Sequence, residues 1–184
     1  MHFLLYFFLA HFLADYPLQS TRLVQFKTQH FLGVFIHGLI HLLVMLILLY
    51  PILYEPKVWV AIGVVYVTHN MIDQMKVRVD KKEPEHHRFF YFLDQYLHWS
   101  VLILAACFID DVTPHLSGMW LDFYGNTSLF LYFLVLVLST YFYDVTRYFL
   151  TAKLGVEPYV RNYKKMAMRG GLVTVIFGMY WWLI

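Results

Sequence analysis

The sequence predicts an all-α membrane protein, a polytopic helical bundle with about six transmembrane helices, four of which form a metal-binding core. Only 14% of its 184 residues are charged, 60% are hydrophobic and the mean hydropathy is +0.57, whereas a soluble domain has about 25% charged residues. Four of its apolar segments also each carry two residues, histidine or aspartate, that stand four positions apart. We therefore predict one integral membrane domain over residues 1–184, with the core in 1–110 and two further helices in 111–184.

Six apolar stretches define the expected helices in chain order. They cover about residues 2–16, 31–50, 58–75, 89–109, 127–148 and 170–184. A membrane crossing needs ~20 residues, so the first and last stretches are short for this role. The first stretch lacks the basic start and the small-residue cleavage site of a secretory signal, and we expect it to be part of the mature fold.

The connections between these stretches predict the orientation in the membrane. Lysine and arginine hold connecting segments on the cytoplasmic side, and of the 14 such residues only Lys57 lies in an even-numbered connection. Both termini are therefore predicted outside, and the first, third and fifth connections in the cytoplasm.

Each of the first four stretches carries one pair of metal-type ligands at a spacing of four residues, which puts both on one helix face. The pairs are His11 with Asp15, His37 with His41, His69 with Asp73, and Asp94 with His98. In the predicted orientation all four pairs lie in the cytoplasmic half, so we expect them to converge on one site. The pattern also repeats, because a helix with H-x-x-x-D is twice followed by a helix with its own pair, which predicts two similar hairpins.

Imidazole and carboxylate ligands suit a divalent transition metal better than calcium. We predict one or two ions, with zinc expected and iron or manganese as alternatives. An ionised aspartate at the bilayer centre costs ~2.5–3.5 kcal/mol, and a bound cation would offset this cost. Two other interpretations stay open: the polar groups bond to neighbouring helices, or some aspartates only orient the imidazoles.

Two residues near the ligands are candidates for catalysis. Asp94 is the candidate general base. Lys76 follows Asp73 by three residues on the same helix face and could hold a substrate phosphate or carboxylate, although such a lysine also extends to lipid headgroups. Cys107 is the only cysteine, which excludes an intramolecular disulfide and a thiolate metal cluster.

The motifs HFLADYPLQ, HGLIH, HNMIDQMK and DQYLH, within roughly residues 9–100, resemble those of a bacterial family of small multi-pass membrane proteins of unknown function. More distantly, the chain is similar to membrane-bound metal-dependent hydrolases that place histidine and aspartate on helices. The resemblance implies a location in the bacterial cytoplasmic (inner) membrane, and it leaves the reaction open.

These observations favour a membrane-embedded metal-dependent hydrolase that acts near the cytoplasmic face on a lipid or lipid-linked phosphoester or ester. One alternative is a metal-ion or proton transporter that uses the same residues. A second is a di-iron acyl-chain oxidase or desaturase. Desaturases typically carry H-x-x-H-H motifs, and the adjacent pair His86 and His87 has Glu83 at the position where this motif requires histidine, which argues against this alternative. Membrane lipids are the expected partners, no nucleic acid is expected, and a homo-oligomer is left open.

Overall fold

The computed structural model describes residues 3–151 and 159–183, and every regular element in those residues is helical. The helices are α1 (Phe3–Asp15), α2 (Thr21–Gln29), α3 (Phe31–Leu48), α4 (Pro56–Lys82), α5 (His87–Phe108), α6 (Met119–Gly125), α7 (Thr127–Val137), α8 (Tyr143–Thr151) and α9 (Tyr163–Leu183). A π-turn, Leu138–Phe142, joins α7 to α8, and single 3₁₀ turns stand at Tyr50–Ile52 and Pro84–His86. The all-helical prediction is confirmed.

Local sequence explains where the helices near the site begin and end. Pro17 disfavours helical geometry at Tyr16, and α1 ends at Asp15. The Ser20 hydroxyl accepts a hydrogen bond from the Leu23 backbone N–H at 3.2 Å and caps α2. The sequence predicts only a connection here, because the nine residues are mostly polar. In the structure they form a helix, and none of them is buried.

Helix α1 lies at the centre of the bundle. It packs against α3, α5 and α7, while α4 packs against α3 and α5. Most of its side chains are buried, including those of Phe3, Phe7 and Phe12, which is typical of a helix largely enclosed by other helices. The hairpin partners α1 with α3 and α4 with α5 therefore present their ligand pairs to one another.

Two glycines allow close approaches that bring other helices to the site. A Cβ atom on Gly33 would lie 2.5 Å from the backbone nitrogen of Lys27, so α2 folds directly against the start of α3. A Cβ atom on Gly38 would lie 2.4 Å from the side-chain amide of Asn70, so α3 and α4 pack closely at the residues that directly follow His37 and His69. Small residues at helix crossings serve this purpose in membrane bundles.

The π-turn between α7 and α8 is completed by a side chain from α9. Arg169 donates hydrogen bonds to the backbone oxygens of Ser139 at 2.7 Å and Thr140 at 3.1 Å, and it forms an ion pair with Asp144 at 3.0 Å. These bonds satisfy carbonyl groups at the point where the regular helical ladder is interrupted.

Two helical segments, Phe31–Leu48 and Thr127–Thr151, are long and apolar enough to cross a membrane. The other four predicted crossings do not meet this standard, and six crossings are not confirmed. Helix α1 has only 13 residues, short of the ~20 that a crossing needs. Helices α4 and α5 are long enough, with 27 and 22 residues, but polar and charged residues, the ligand pairs among them, lower their mean hydropathy.

Candidate metal centre

The structure brings the eight predicted ligand residues together, two from each of α1, α3, α4 and α5. The five imidazoles, those of His11, His37, His41, His69 and His98, are each at most 3% exposed. Asp73 and Asp94 are also buried, and Asp15 is partly exposed. The convergence of these eight side chains on one site was expected from their spacing and predicted depth. Metal binding by these groups stays a prediction.

The five imidazole rings form a continuous cluster with His69 in its middle. The ring centroid of His69 lies 3.7 Å from that of His41, 4.4 Å from that of His98 and 5.3 Å from that of His37. The ring of His11 closes the cluster, 5.1 Å from that of His98 and 5.4 Å from that of His41.

Two overlapping sets of side chains offer ligand atoms within 4.8 Å of one another. The first set is Asp15, His37, His41 and His69, and the second is His69, Asp73 and His98. Both contain His69, so the sets occupy adjoining volumes. Such an arrangement could hold one ion in either set, or two neighbouring ions, which is a known use of facing helices in a bundle.

Asp15 is the carboxylate with the most imidazole contacts. Its Oδ1 lies 2.9 Å from His37 Nε2 and 3.0 Å from His41 Nε2, and its Oδ2 lies 3.2 Å from His11 Nε2. One carboxylate on α1 thus connects the histidines of α1 and α3.

Several buried polar atoms in the cluster have no hydrogen-bond partner among the described residues. They are the Nε2 atoms of His69 and His98 and the Oδ1 atom of Asp94, and also His11 Nε2, which lies 3.2 Å from Asp15 Oδ2 without forming a hydrogen bond to it. For His98 the tautomer follows from its other nitrogen, because Nδ1 donates to the backbone oxygen of Asp94 at 2.8 Å, so the Nε2 lone pair is available. Unpartnered buried groups are costly, and a cation would satisfy a convergent set of lone pairs.

Lys27 is a member of the site that sequence reasoning missed. From α2, its ammonium group forms an ion pair with Asp73 Oδ2 at 2.9 Å. Burial by itself would lower the pKa of Lys27, but the carboxylates of Asp73 and Asp15 outweigh it, so the pKa is raised. The carboxamide of Gln19 lies between His37 and Lys27, and its oxygen accepts from Lys27 Nζ at 3.2 Å when the amide is turned to satisfy both neighbours. No sequence signal marks Lys27, since its contact crosses between helices.

A hydrogen-bonded chain holds Asp94 in place. Its Oδ2 accepts from Gln95 Nε2 at 3.0 Å, and Gln95 Oε1 in turn accepts from the hydroxyl of Tyr16 at 3.3 Å. The hydroxyl of Tyr91 lies 3.4 Å from that of Tyr16.

A cavity of about 290 Å³ opens beside the cluster, on the side of the turn between α1 and α2. Asp15, Asp73 and Asp94 line it, as does Lys76, whose ammonium group pairs with Asp80 at 3.1 Å. The two predicted catalytic residues, Asp94 and Lys76, therefore border the same space as the metal-type ligands. The remaining lining includes aromatic residues of the π-turn and α8, and the segment before α9.

No curated protein and no solved structure is detectably similar to this chain. A family model described as a protein of unknown function (DUF3307) matches residues 3–122, a stretch that contains α1 to α5 and all eight predicted ligands. The chain therefore belongs to this family of unknown function, DUF3307.

Proposed function

We propose that the protein is a metal-dependent hydrolase embedded in the bacterial cytoplasmic membrane, which acts at the cytoplasmic face on a lipid or lipid-linked phosphoester or ester. One observation carries the proposal: imidazole nitrogens of His69 and His98 that have no hydrogen-bond partner among the described residues converge, together with His11, in a buried cluster whose neighbouring carboxylates line a cavity. Buried titratable groups that face a cavity are the usual setting of a catalytic centre.

The side chains fit one or two divalent transition metal ions, and we propose zinc, with iron and manganese as the alternatives. Neutral imidazole nitrogens and carboxylate oxygens are ligands that suit these ions. When bound, such an ion supplies Lewis-acid polarisation of the scissile bond and activation of water.

Residues of the chain supply the other requirements of hydrolysis. Asp94 has one oxygen fixed by Gln95 and the other without a partner, so it can accept a proton from the attacking water. Lys76 lies in the cavity wall, where its ammonium group can hold an anionic part of the substrate. The centroid of the Phe149 ring lies 5.9 Å from that ammonium group, within the range of a cation–π contact.

A membrane location is supported by the large apolar surface of the bundle, which also buries a polar cluster beside its apolar core. Histidine and aspartate are inside, while large apolar side chains are exposed along the outer faces of α3, α4 and α5, for example Leu43, Val67 and Leu104. Extensive exposed apolar surface marks contact with a membrane or another protein. The basic end of α4, with Lys81 and Lys82, follows the ligand residue Asp73, as expected for a site near the cytoplasmic face.

The decisive experiment combines metal analysis with hydrolysis. Protein extracted in mild detergent is expected to retain one or two divalent ions per chain and to hydrolyse a lipid phosphoester or ester in a metal-dependent manner. Because Asp94 belongs to neither set of ligand atoms within 4.8 Å of one another, the variant Asp94→Asn should keep its metal and lose on the order of 100-fold or more in rate. The matched control Asp111→Asn changes an exposed aspartate and should leave both unchanged. A protein that retains no metal would contradict the proposal.

The same preparation separates the two alternatives. Metal or proton flux in proteoliposomes without hydrolysis would show that the protein is a carrier and not a hydrolase. Bound iron with oxygen-dependent modification of acyl chains would show that the protein is an oxidase and not a hydrolase. Zinc with hydrolysis and no flux is the result that we expect.

A further inference from the structure

Arg161, which precedes α9, lies in the lining of the cavity next to the metal centre. Its guanidinium group donates to the backbone oxygen of Tyr16 at 3.0 Å and to that of Gln19 at 2.5 Å, and lies 5.6 Å from the ring centroid of Tyr141. These contacts attach it to the turn that directly follows Asp15. The guanidinium group is therefore held at the ligand end of α1.

Within the described residues, the partners of Arg161 do not neutralise its positive charge. The other two basic residues of the cavity each pair with a carboxylate, Lys27 with Asp73 and Lys76 with Asp80. Arg161 has neutral partners, two backbone carbonyl groups and the neighbouring hydroxyl of Tyr159, and no carboxylate of residues 3–151 and 159–183 forms an ion pair with it. A fixed guanidinium group with spare donors beside a cavity is suited to bind an anion through two oxygens.

The charge of the cavity lining depends on the metal. Four carboxylates, those of Asp15, Asp73, Asp80 and Asp94, oppose three basic side chains, which leaves one net negative charge. One divalent ion would make the lining singly positive, and two would give three positive charges. A phosphate dianion would thus be repelled before metal binding and attracted afterwards, whereas a neutral carboxyl ester would gain little from this charge.

Tyr159 adds a neutral donor to the same wall. Burial raises the pKa of its hydroxyl to about 12, so the group stays protonated at neutral pH. It now donates to Asp144 Oδ2 across 3.4 Å, a weak contact that a stronger acceptor could replace.

We infer that the cavity takes the phosphate group of a phosphomonoester and that Arg161 binds its oxygens. This rests on the proposed hydrolase and narrows its substrate class. In hydrolysis the P–O ester bond breaks, water supplies a hydroxyl group to phosphorus and a proton to the departing alcohol, and inorganic phosphate is the second product. Inorganic phosphate is therefore a ligand of the same site, and its binding can be measured without turnover.

The first test is titration calorimetry with inorganic phosphate on the full chain in detergent. Zinc-loaded wild type should bind phosphate, and chelator-treated protein should not. Arg161→Gln should weaken binding by about 10- to 100-fold, as the loss of charged hydrogen bonds predicts, and Arg161→Lys should lie between because it keeps the charge but loses the planar donor pair. Arg147→Gln, which removes the same charge outside this cavity, should bind as wild type. Zinc content and melting temperature, measured for each variant, identify any variant that has lost its fold or its metal.

Absence of phosphate binding by zinc-loaded wild type, or equal binding by Arg161→Gln, would overturn the inference. Hydrolysis of a carboxyl ester without phosphate binding would overturn the inference of a phosphate site, but would still agree with the proposed hydrolase. Arg161-dependent phosphate binding without hydrolysis of any ester would support the phosphate site and contradict the hydrolase.

A competition experiment identifies the source of the phosphate group. Glycerol 3-phosphate in solution and phosphatidate in nanodiscs are each tested for displacement of inorganic phosphate. Displacement by phosphatidate alone supports a lipid phosphomonoester, displacement by both supports a site open to soluble phosphomonoesters, and displacement by neither overturns the inference.

Discussion

His69 is the residue through which the two sets of ligand atoms are joined. Its ring stacks near that of His41, at 3.7 Å between centroids, and near that of His98, at 4.4 Å. Its Nε2 has no hydrogen-bond partner in the described part of the chain and lies 3.6 Å from Asp73 Oδ2. Any ion held by either set would therefore be sensitive to this side chain.

Replacing His69 tests this role directly. We expect His69→Ala to weaken zinc binding by more than about 100-fold, since even the loss of an outer partner of a ligand costs about 10- to 100-fold. The measurement is zinc content by elemental analysis after dialysis against a weak chelator. His115→Ala is the control, because His115 is exposed and contacts Tyr54 away from the cluster. Full zinc retention by His69→Ala would contradict the two-set interpretation.

Lys27 places a positive charge where a cation is proposed to bind, since its ammonium group is 2.9 Å from Asp73. Unit charges a few ångströms apart interact by roughly 1–4 kcal/mol. Lys27→Met should therefore raise zinc affinity by about tenfold or more, as measured by competition with a chromogenic chelator. Lys27→Arg keeps the charge and should change the affinity little. Weaker zinc binding by Lys27→Met would mean that Lys27 organises the ligands instead of competing with the ion.

At the scale of elements, the position of α2 against the bundle depends on a close backbone contact with α3. The absence of a side chain on Gly33 lets the backbone of Phe26 and Lys27 lie against α3, and this contact carries Lys27 to Asp73. Helical periodicity can identify α2 as an amphipathic segment at most. It cannot show that the segment folds back on the bundle, because that depends on one interhelical approach.

The variant Gly33→Ala should displace α2, because its Cβ would meet backbone atoms that no rotamer change can move. Such overpacking costs about 1–3 kcal/mol, and we expect a lower melting temperature in detergent together with faster chemical acylation of Lys27. Gly63→Ala is the matched control on α4. It has no atom within 4 Å of the added Cβ, and alanine is the better helix former, so the melting temperature should stay or rise. Unchanged acylation in Gly33→Ala would contradict the role of this contact.

The contact between the π-turn and α9 depends on the side chain of Arg169. Arg169→Met removes the donors to Ser139 and Thr140 and the partner of Asp144. Unsatisfied polar groups of this kind cost about 1–3 kcal/mol, which should lower the melting temperature. Lys165→Met changes an exposed residue of the same helix and should have little effect. Equal melting temperatures for the two variants would show that the turn is stable without Arg169.

At the scale of the whole molecule, the bundle buries its histidine and aspartate cluster beside a larger apolar core and exposes apolar faces on the outside. The exposed apolar faces and the two helices long enough to cross a membrane agree with a membrane protein. The polar cluster also lowers the mean hydropathy of the helices that carry it, and of these helices only α3 is apolar and long enough to count as a candidate crossing.

Cysteine labelling tests the predicted orientation, starting from Cys107→Ser, which removes the only cysteine. Ser117→Cys, in the fourth connection, should react with a membrane-impermeant maleimide on intact cells. Lys81→Cys, in the third connection, should react only after permeabilisation. Both positions are exposed and lie at opposite ends of α5, so reaction of both on intact cells would exclude a crossing by α5.

The sequence by itself determined the helical class, the residues of the candidate centre and the helix face that each of them occupies. Spacing at four residues is a local property, so it places Asp73 and His69 on one face whatever else the chain does. Charge in the connections also predicted that the four pairs would share one depth, and the structure brings them together.

Only the tertiary structure decided how the ligands divide into two sets around His69 and which distant groups join them. Lys27 and Arg161 reach the site across gaps of 46 and 145 residues, to Asp73 and Tyr16. Their positions depend on helix packing, glycine contacts and side-chain rotamers. These are relations between elements, and no periodicity within one element encodes them.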